Sequence, residues 1–426
     1  LFFMFTFTAH YSYILYVLLV FIGVLVGLEI PILLRILKER MSFRDLVARV
    51  LSLDYVGGLV AAISFPLLLL RPEVGLVRAS LLAGVVNVVV AFFAIYIFQK
   101  QIRLRAQLLK ASAVLLLLIG ALVYSKPLQG FLDDELHADP VVYSKQSNYQ
   151  KIVMTSWHEH FSLFLNNNLQ FNSFDEYRYH ESLVHAPVQM YLDHQMQANT
   201  KNKKINVLVM GGGDGLAIRE LLRYENIEHI DLVDIDPAMT DLAKNHIWLK
   251  RLNHNAFSDT RVTIHNEDAF IYLQKPKKLY DVVILDFPDP GNFSIGKLYS
   301  DIFFYRLKNV LADGAVGVTQ STSPFVARAS FWCIYNTIAS TGYHALPYHV
   351  YVPSFGEWGF VAFSLKPIAM PRKLYLEKSM RFLNKDILAT MSNFPSDMAH
   401  VATHTQTLMS QSLVHYYEKE WQRTTR

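Results

Sequence analysis

Ile205-Asn206-Val207-Leu208-Val209-Met210-Gly211-Gly212-Gly213-Asp214-Gly215 is the stretch that decides the fold. Its compact apolar run is strand-length and stops at a glycine turn, after which Leu216–Tyr224 resumes with helical spacing, so the segment reads strand, turn, helix. The pattern continues outward with a strand at His229–Val233, a helix at Ala238–Trp248 and strands at Val262–His265 and Val282–Leu285, the last ending at Asp286. A helix over Leu298–Leu311 and a strand over Gly314–Thr319 follow. Strands separated by helices predict a doubly wound parallel α/β sheet, whose ligands sit beyond the carboxyl ends of the strands.

The glycine turn is not the dinucleotide fingerprint G-x-G-x-x-G, because the sixth position is Leu216 counted from Gly211 and Ile218 counted from Gly213. What remains, Gly211-x-Gly213-x-Gly215, lets a ligand approach the backbone without the usual pyrophosphate cradle. Asp234 ends the second strand, placed to accept both ribose hydroxyls, and Asp268 follows the third, placed to accept from an adenine amino group. Together they indicate a nucleoside site. Asp214 inside the loop would repel the carboxylate of intact S-adenosylmethionine, so it favours the decarboxylated nucleoside, whose tail is purely cationic.

Asp286-Phe287-Pro288-Asp289-Pro290 puts two carboxylates three residues apart on a turn at the end of the fourth strand. An amine attacking a sulfonium carbon arrives as an ammonium and must lose a proton first. One carboxylate can take that proton while the other holds cationic charge. Paired Asp could also bind a metal, but no His or Glu nearby completes a ligand set, and no metal is expected.

The chain has 426 residues, 52% apolar and 18% charged, which excludes a disordered or collagen-like protein. Residues 1–125 carry 11 Lys/Arg against 5 Asp/Glu, net +6, and the remainder is net −2. This basic excess lies between apolar runs, as at membrane flanks, and no nucleic-acid partner is expected. Leu1–Gly27 is uncharged and longer than the ~20 residues a bilayer core requires. Further uncharged runs at Tyr55–Leu70, Ala79–Gln99 and Ala111–Ser125 bring the count to four expected spans, two of them of full length without help. Arg35, Lys38, Arg40, Arg44 and Arg49 fill the first loop and Lys100, Arg103, Arg105 and Lys110 the third, against Arg71 and Arg78 in the second. The positive-inside rule assigns loops one and three to the cytoplasm and, by parity, everything after Ser125 to the outside. A cytosolic nucleoside conflicts with that, and Tyr55–Leu70 is the candidate non-crossing run. The chain begins at Leu1 inside an apolar run without an initiator Met, so an N-terminal truncation is expected. Single Cys333 excludes an intrachain disulfide.

Asp133–Asp139 reads as an acidic linker, and the apolar segments of Tyr149–Phe171 are broken by Asn166-Asn167-Asn168, a good hairpin turn. The expected domains are a transmembrane helix bundle over 1–125, a linker with a small β-hairpin region over 126–204, a catalytic α/β domain over 205–367 and a helical tail over 368–426.

Asn148-Tyr149-Gln150-Lys151-Ile152, Asp175-Glu176-Tyr177-Arg178-Tyr179-His180-Glu181 with His185 and Pro187, the Gly211–Gly215 loop, Val233–Pro237 and Asp286-x-x-Asp289-Pro290 together resemble the spermidine synthase (polyamine aminopropyltransferase) family across roughly Tyr149–Phe363. The apolar N-terminus resembles that family's membrane-anchored, multi-span bacterial branch. The resemblance implies a Rossmann-like sheet of the methyltransferase type and transfer of an aminopropyl group from decarboxylated S-adenosylmethionine to a polyamine such as putrescine. It implies Asp286 as proton acceptor. It implies Gln150, Gly211, Gly213, Asp214, Asp234, Asp268 and Ala269 at the nucleoside, and Tyr179, His180, Asp214, Asp289 and Gln320 at the amine. Without its neighbours His180 would read as an ordinary helix-surface histidine. The nucleoside is a co-substrate, no cofactor is permanently bound, and a homo-oligomer is compatible with the family. A multi-pass inner-membrane protein with a cytosolic catalytic domain is expected.

Departures from the family leave nucleoside recognition better kept than acceptor recognition. Phe287 and Pro288 stand where Ser or Thr usually follows the catalytic Asp, Gly291–Lys297 replaces a Gly-Pro-rich gate loop, Ala269 replaces Gly, and Pro353–Trp358 replaces a segment that commonly supplies a Tyr. Two other readings stay open: a methyltransferase using intact S-adenosylmethionine, which often has an acid just before the loop where Val209 and Met210 stand here, and a non-catalytic membrane polyamine sensor or transporter.

Overall fold

The computed structural model describes residues 11–37, 42–69, 75–125, 136–198, 203–274, 278–373 and 380–424. The chain divides into two compact units, Leu1–Trp157 and His158–Arg426.

The first unit holds α1 (Tyr11–Leu37), α2 (Phe43–Ser64), α3 (Gly75–Ile97) and α4 (Leu104–Val123). Ser42 caps α2, its Oγ accepting from the Asp45 N–H at 3.2 Å. The helix then runs on as a π-helical stretch, Phe65–Leu69, at Pro66, which has no N–H to donate. Tyr55–Leu69 is thus part of a continuous helix. Among the described residues four stretches are long and apolar enough to cross a membrane: Tyr13–Ile32, Arg44–Leu67, Val77–Ile97 and Leu104–Val123, with mean hydropathies of 2.5, 1.7, 2.4 and 2.1. Helices α3 and α4 pack where Gly84 meets Leu118; a Cβ on Gly84 would lie 3.2 Å from a Leu118 methyl. Of the acidic linker, 133–135 fall outside the described residues. Strands β1 (Val141–Gln146) and β2 (Lys151–Trp157) then form an antiparallel hairpin whose turn is closed by Ser147 Oγ, accepting from the Tyr149 and Gln150 N–H groups.

The second unit opens with the hairpin β3 (His160–Leu165) and β4 (Asn168–Asn172). Asn166 and Asn167 both have positive φ, 50° and 65°, the conformation that a two-residue turn matching strand twist demands. Helix α5 (Glu176–Gln197) precedes a seven-stranded sheet of β5 (Ile205–Gly211), β6 (Ile227–Val233), β7 (Val262–His265), β8 (Tyr280–Asp286), β9 (Leu311–Gln320), β10 (His344–Val352) and β11 (Gly356–Ser364) in the order β10-β11-β9-β8-β5-β6-β7. Strands β5 to β9 are parallel, as expected. The sheet is mixed, however, because β11 runs antiparallel to both β9 and β10. The tight turn at Pro353–Phe355 permits only a hairpin, whereas a parallel pair needs a crossover.

Side chains of β5 alternate between two cores, with Ile205, Val207 and Val209 on one face of the sheet and Leu208 and Met210 on the other. Helix α6 (Leu216–Leu221) follows the glycine loop. The helix expected over Ala238–Trp248 is two, α7 (Pro237–Asn245) and α8 (Ile247–Leu252), broken at His246 in an extended conformation. Short α9 (Ala269–Tyr272) and α10 (Phe293–Gly296) flank β8. The helix expected over Leu298–Leu311 is shorter, α11 (Asp301–Leu307), because Ser300 caps its start and Leu311 already belongs to β9. Helix α12 (Arg328–Ser340) packs beneath β10 and β11.

The tail read as helical contains α13 (Lys385–Thr390) and α14 (Ser412–Thr424) with irregular chain between them. It is integral to the unit: Leu383, Leu388 and Met391 enter one core and Leu413 the other. Glu181 of α5, 1% exposed, anchors it by accepting from the Arg381, Phe382 and Leu383 N–H groups at 2.8, 2.9 and 2.8 Å. Glu181→Gln replaces one acceptor oxygen by a donor facing donors, and is expected to lower stability by about 2 kcal/mol in a guanidinium titration of the detergent-solubilised protein. An unchanged midpoint would mean that apolar packing alone holds the tail.

Candidate active site

β5 and β8 end side by side, with Gly211 in register with Asp286. Gly211 has φ 79°, and a Cβ there would lie 2.1 Å from the Asp286 carbonyl oxygen, so only glycine lets the strand ends meet. Gly212 faces the Asp286 side chain, a Cβ there falling 3.1 Å from Oδ2, and at Gly213 a Cβ would come within 2.5 Å of Asp234 Oδ2. The bare loop therefore carries a carboxylate on each side. Asp214 accepts from the Leu216 N–H at 2.9 Å, tying the loop to the first turn of α6.

Crowding and partial burial raise the pKa of each of these acids. Burial, then the Asp214 charge, push Asp286 up to about 6 against the opposing effects of His180 and Tyr179. Burial raises Asp214, with His180 opposing it. Asp234 is pushed up to about 7 by burial and by the charges of Asp236 and Asp214, although its carboxylate accepts from the Asp236 N–H at 2.8 Å. Burial pushes Asp289 up to about 6.

Helix α5 supplies the answering groups. Tyr179 donates to Asp286 Oδ1 at 2.5 Å, leaving Oδ2 toward the glycine loop. The next residue, His180, is buried, with Nδ1 2.8 Å from Glu176 Oε2 one turn earlier. Burial alone would lower the His180 pKa, but its bond to Glu176, with the charges of Glu176, Asp214 and Asp286, raises it. Glu176 is gripped by both terminal nitrogens of Arg219, at 2.8 and 2.9 Å. Arg219 Nε reaches Glu220 at 2.9 Å, and Glu220 meets His185 Nε2 at 2.9 Å. A buried chain of linked polar groups, His180–Glu176–Arg219–Glu220, thus leads from the cleft through α6 to His185, whose pKa burial lowers.

On the other side of Asp286, Asp289 accepts from Tyr417 at 3.0 Å, Gln320 at 3.3 Å and Thr322 at 3.4 Å. Thr322 has φ 58°, unusual for a β-branched residue, and is held there by reciprocal backbone bonds: Gly359 N–H to Thr322 O at 2.8 Å and Ser321 N–H to Gly359 O at 2.9 Å. Gln320 is buried and also donates to the Phe287 carbonyl at 2.6 Å and to Tyr299 at 2.8 Å, so its amide fixes the Asp286–Asp289 turn.

Of the residues singled out from the sequence, Tyr179, His180, Gly211, Gly213, Asp214, Asp234, Asp286, Asp289 and Gln320 converge at this end of the sheet. Asp268 caps α9 by accepting from the Phe270 N–H at 2.7 Å and is paired with Lys297 at 2.6 Å; Ala269 is the buried first residue of that helix. An adenine amino group would therefore share Asp268 with an ammonium that sequence spacing gave no reason to expect. Gln150 stands on the β1–β2 turn of the first unit. The sequence reading missed Arg219, Tyr299, Thr322 and Tyr417, which lie outside every motif. Among the described residues no group of three or more His, Cys, Asp or Glu is arranged to hold a metal ion.

Because Asp234 is raised in the folded state, that state binds more protons than the unfolded chain between pH ~4 and ~7, and stability falls as pH rises through that window. Asp234→Asn is expected to raise the melting temperature at pH 8 by about 2–4 °C, the equivalent of ~1 kcal/mol in a unit of this size, with little effect at pH 4.5. Equal shifts at both pH values would mean that the carboxyl is ionised throughout.

A Spermine/spermidine synthase domain model matches residues 176–372. The polyamine aminopropyltransferase of Leptospira interrogans is 47% identical over 413 residues, covering 96% of this chain and 80% of that protein. Polyamine aminopropyltransferase 2 of Ralstonia nicotianae is 41% identical over 420 residues, 97% and 80% of the two chains. Spermidine synthase crystallised with the transition-state analogue AdoDATO superposes with a TM-score of 0.54 at 24% identity, over 60% of this chain and 85% of that one. Spermidine synthase from Thermotoga maritima gives 0.53 at 24%, over 60% and 84%. These two solved structures share the Rossmann-like fold of the second unit. At the level of identity seen across nearly its whole length, the chain belongs to the polyamine aminopropyltransferase family.

Proposed function

We propose that the chain transfers the aminopropyl group of decarboxylated S-adenosylmethionine to a polyamine acceptor such as putrescine, giving spermidine and methylthioadenosine. The observation that carries this reading is the apposition of Asp286 to Gly211 and Gly212, which brings a carboxylate with a pKa of about 6 to the backbone turn that would receive the nucleoside's cationic tail. At neutral pH Asp286 is mostly ionised, yet it is a stronger base than a free aspartate. The acceptor ammonium gives its proton to Asp286 Oδ2. The freed lone pair then attacks the propyl carbon bonded to the sulfonium, and the carbon–sulfur pair leaves with methylthioadenosine. Tyr179 holds Oδ1 and keeps Oδ2 aimed at the loop. Asp214 and Asp234 favour a ligand with no carboxylate of its own, and His180, whose pKa Glu176 raises toward the charged form, tempers their repulsion.

Release of methylthioadenosine from the decarboxylated nucleoside with putrescine, and no methyl transfer from intact S-adenosylmethionine, tests the activity. Asp286→Asn fills the same space but cannot accept the ammonium proton. It is expected to reduce turnover by ~10²-fold or more while leaving nucleoside affinity within about twofold. Turnover near that of the parent would assign the base elsewhere.

We further infer that the four apolar helices anchor the chain as a multi-pass protein of the inner membrane, with the catalytic unit in the cytosol where its nucleoside is made. Support comes from their exposed apolar surfaces, among them Val20, Leu59, Phe93 and Leu117. The positive-inside count over four crossing helices favours the opposite side, so a label decides. Cys333 is buried with its thiol pushed up to about 12, which leaves little background. Ala138→Cys, on the exposed start of the second half of the linker, is expected to resist an impermeant maleimide in intact cells and to react after lysis. Labelling of intact cells would put the catalytic unit outside.

A further inference from the structure

Helix α14 lies beyond the residues that the family domain matches, yet it is built into the site. Leu413 and Val414 are buried, and Val414 packs on Gly296, where a Cβ would fall 2.7 Å from it. Gln406 donates to the Gly296 carbonyl at 3.1 Å and accepts from the Leu413 N–H at 2.9 Å, binding the loop after Asp289 to the start of α14. Farther along, the Glu420 carboxylate caps α12, accepting from the Ala329 and Ser330 N–H groups and the Ser330 hydroxyl at 2.7, 3.1 and 2.7 Å. Between these anchors stands Tyr417. Its hydroxyl donates to Asp289 Oδ2 at 3.0 Å, and its ring lies against Gly291, 3.5 Å from where a Cβ would be. The Pro353–Trp358 segment carries no Tyr, so the phenol beside this carboxylate comes from α14.

We propose that Tyr417 is a specificity-determining residue for the acceptor, orienting Asp289 and closing the cleft at Gly291 so that the amine's distal ammonium is measured against the Asp289–Tyr417 pair. The inference rests on the aminopropyl-transfer reading. The acceptor must present its reacting nitrogen at Asp286, and Asp289 is the next carboxylate along the turn. Asp289 would otherwise turn on its side-chain torsions, since its remaining bonds, to Gln320 and Thr322, are the longer ones. A rigid acid at a fixed distance from the base selects amine length; a loose one does not.

Full-length Tyr417→Phe, in detergent, should raise KM for the preferred diamine about tenfold, the worth of one hydrogen bond to a charged group, and flatten the preference among three-, four- and five-carbon diamines. KM for decarboxylated S-adenosylmethionine should stay within about twofold. The acidic limb of kcat/KM for the amine should move to higher pH, because the lost hydroxyl stabilised ionised Asp289. In an Asp289→Asn background the same substitution should add little, since both act on one contact. An unchanged acceptor KM and pH limb, fully additive effects, or an equal rise of both KM values with a lower melting temperature would each overturn the inference. Failure of the underlying reading shows separately, as an unsubstituted chain that releases no methylthioadenosine with any diamine, and would remove this inference with it.

Discussion

Holding Asp214, Asp234, Asp286 and Asp289 together at the carboxyl ends of parallel strands is the constraint from which the rest of the catalytic unit follows. Each carboxylate taken from water loses several kcal/mol of hydration unless a partner replaces it, and neighbouring negative charges add to the penalty. The raised pKa values record how far the protein leaves that penalty uncompensated. Arg219 is spent on Glu176 and Glu220, and Lys297 on Asp268, so neither cation answers the four directly. A ligand carrying a sulfonium and ammonium groups completes the missing charge. The clustering of carboxylates that raises their pKa values is thus also what favours a polycation at this rim.

Helix α5 translates that local electrostatics into fold. Asp175, just ahead of it, accepts from the Ser354 N–H and hydroxyl at 2.6 and 2.9 Å and so fixes the β10–β11 turn. Glu176 and His180, four residues apart, share the face toward α6, Tyr179 reaches Asp286, Glu181 captures the tail, and His185 meets Glu220. One buried helix therefore ties the sheet, the glycine loop and the C-terminal segment to Asp286. A displacement of α5 would move the hydrogen-bond partner of Asp286 and the tail's anchor together.

The glycine-loop end of the candidate site was legible because its geometry is local. A strand, a bare glycine turn and a helix within Ile205–Leu221 dictate one another, and acids at the following strand ends must fall on the same rim. What escaped the sequence reading depended on contacts between distant segments. Nothing in the spacing of Arg219 indicates a bidentate partner 43 residues away, and nothing around Tyr417 indicates Asp289, 128 residues away. The shortened helix at Ser300 and the antiparallel β11 had local signals, a capping serine and a tight turn, that apolar periodicity outweighed. His180 was placed at the amine only through its neighbours in the motif; by itself it would have read as a surface residue, because the elements that bury its helix lie far along the chain.

The departure at Phe287 and Pro288 lies on the turn between Asp286 and Asp289 and leaves the glycine loop untouched. Phe287 is 5% exposed, with its ring edge-on to Tyr299 and Phe303, and its carbonyl accepts from Gln320. The Tyr299 hydroxyl donates to the Pro288 carbonyl at 3.1 Å. The turn that spaces Asp286 from Asp289 is consequently fixed by core packing and backbone capture, and needs no hydroxyl side chain of its own. Packing set by β9, α11 and α14 can drift in sequence while the carboxylate separation is kept, whereas the Gly211–Asp286 contact admits no added Cβ at all. The rim can therefore vary in its supporting residues at the Asp289 end, while the Gly211–Asp286 end is fixed by backbone contact.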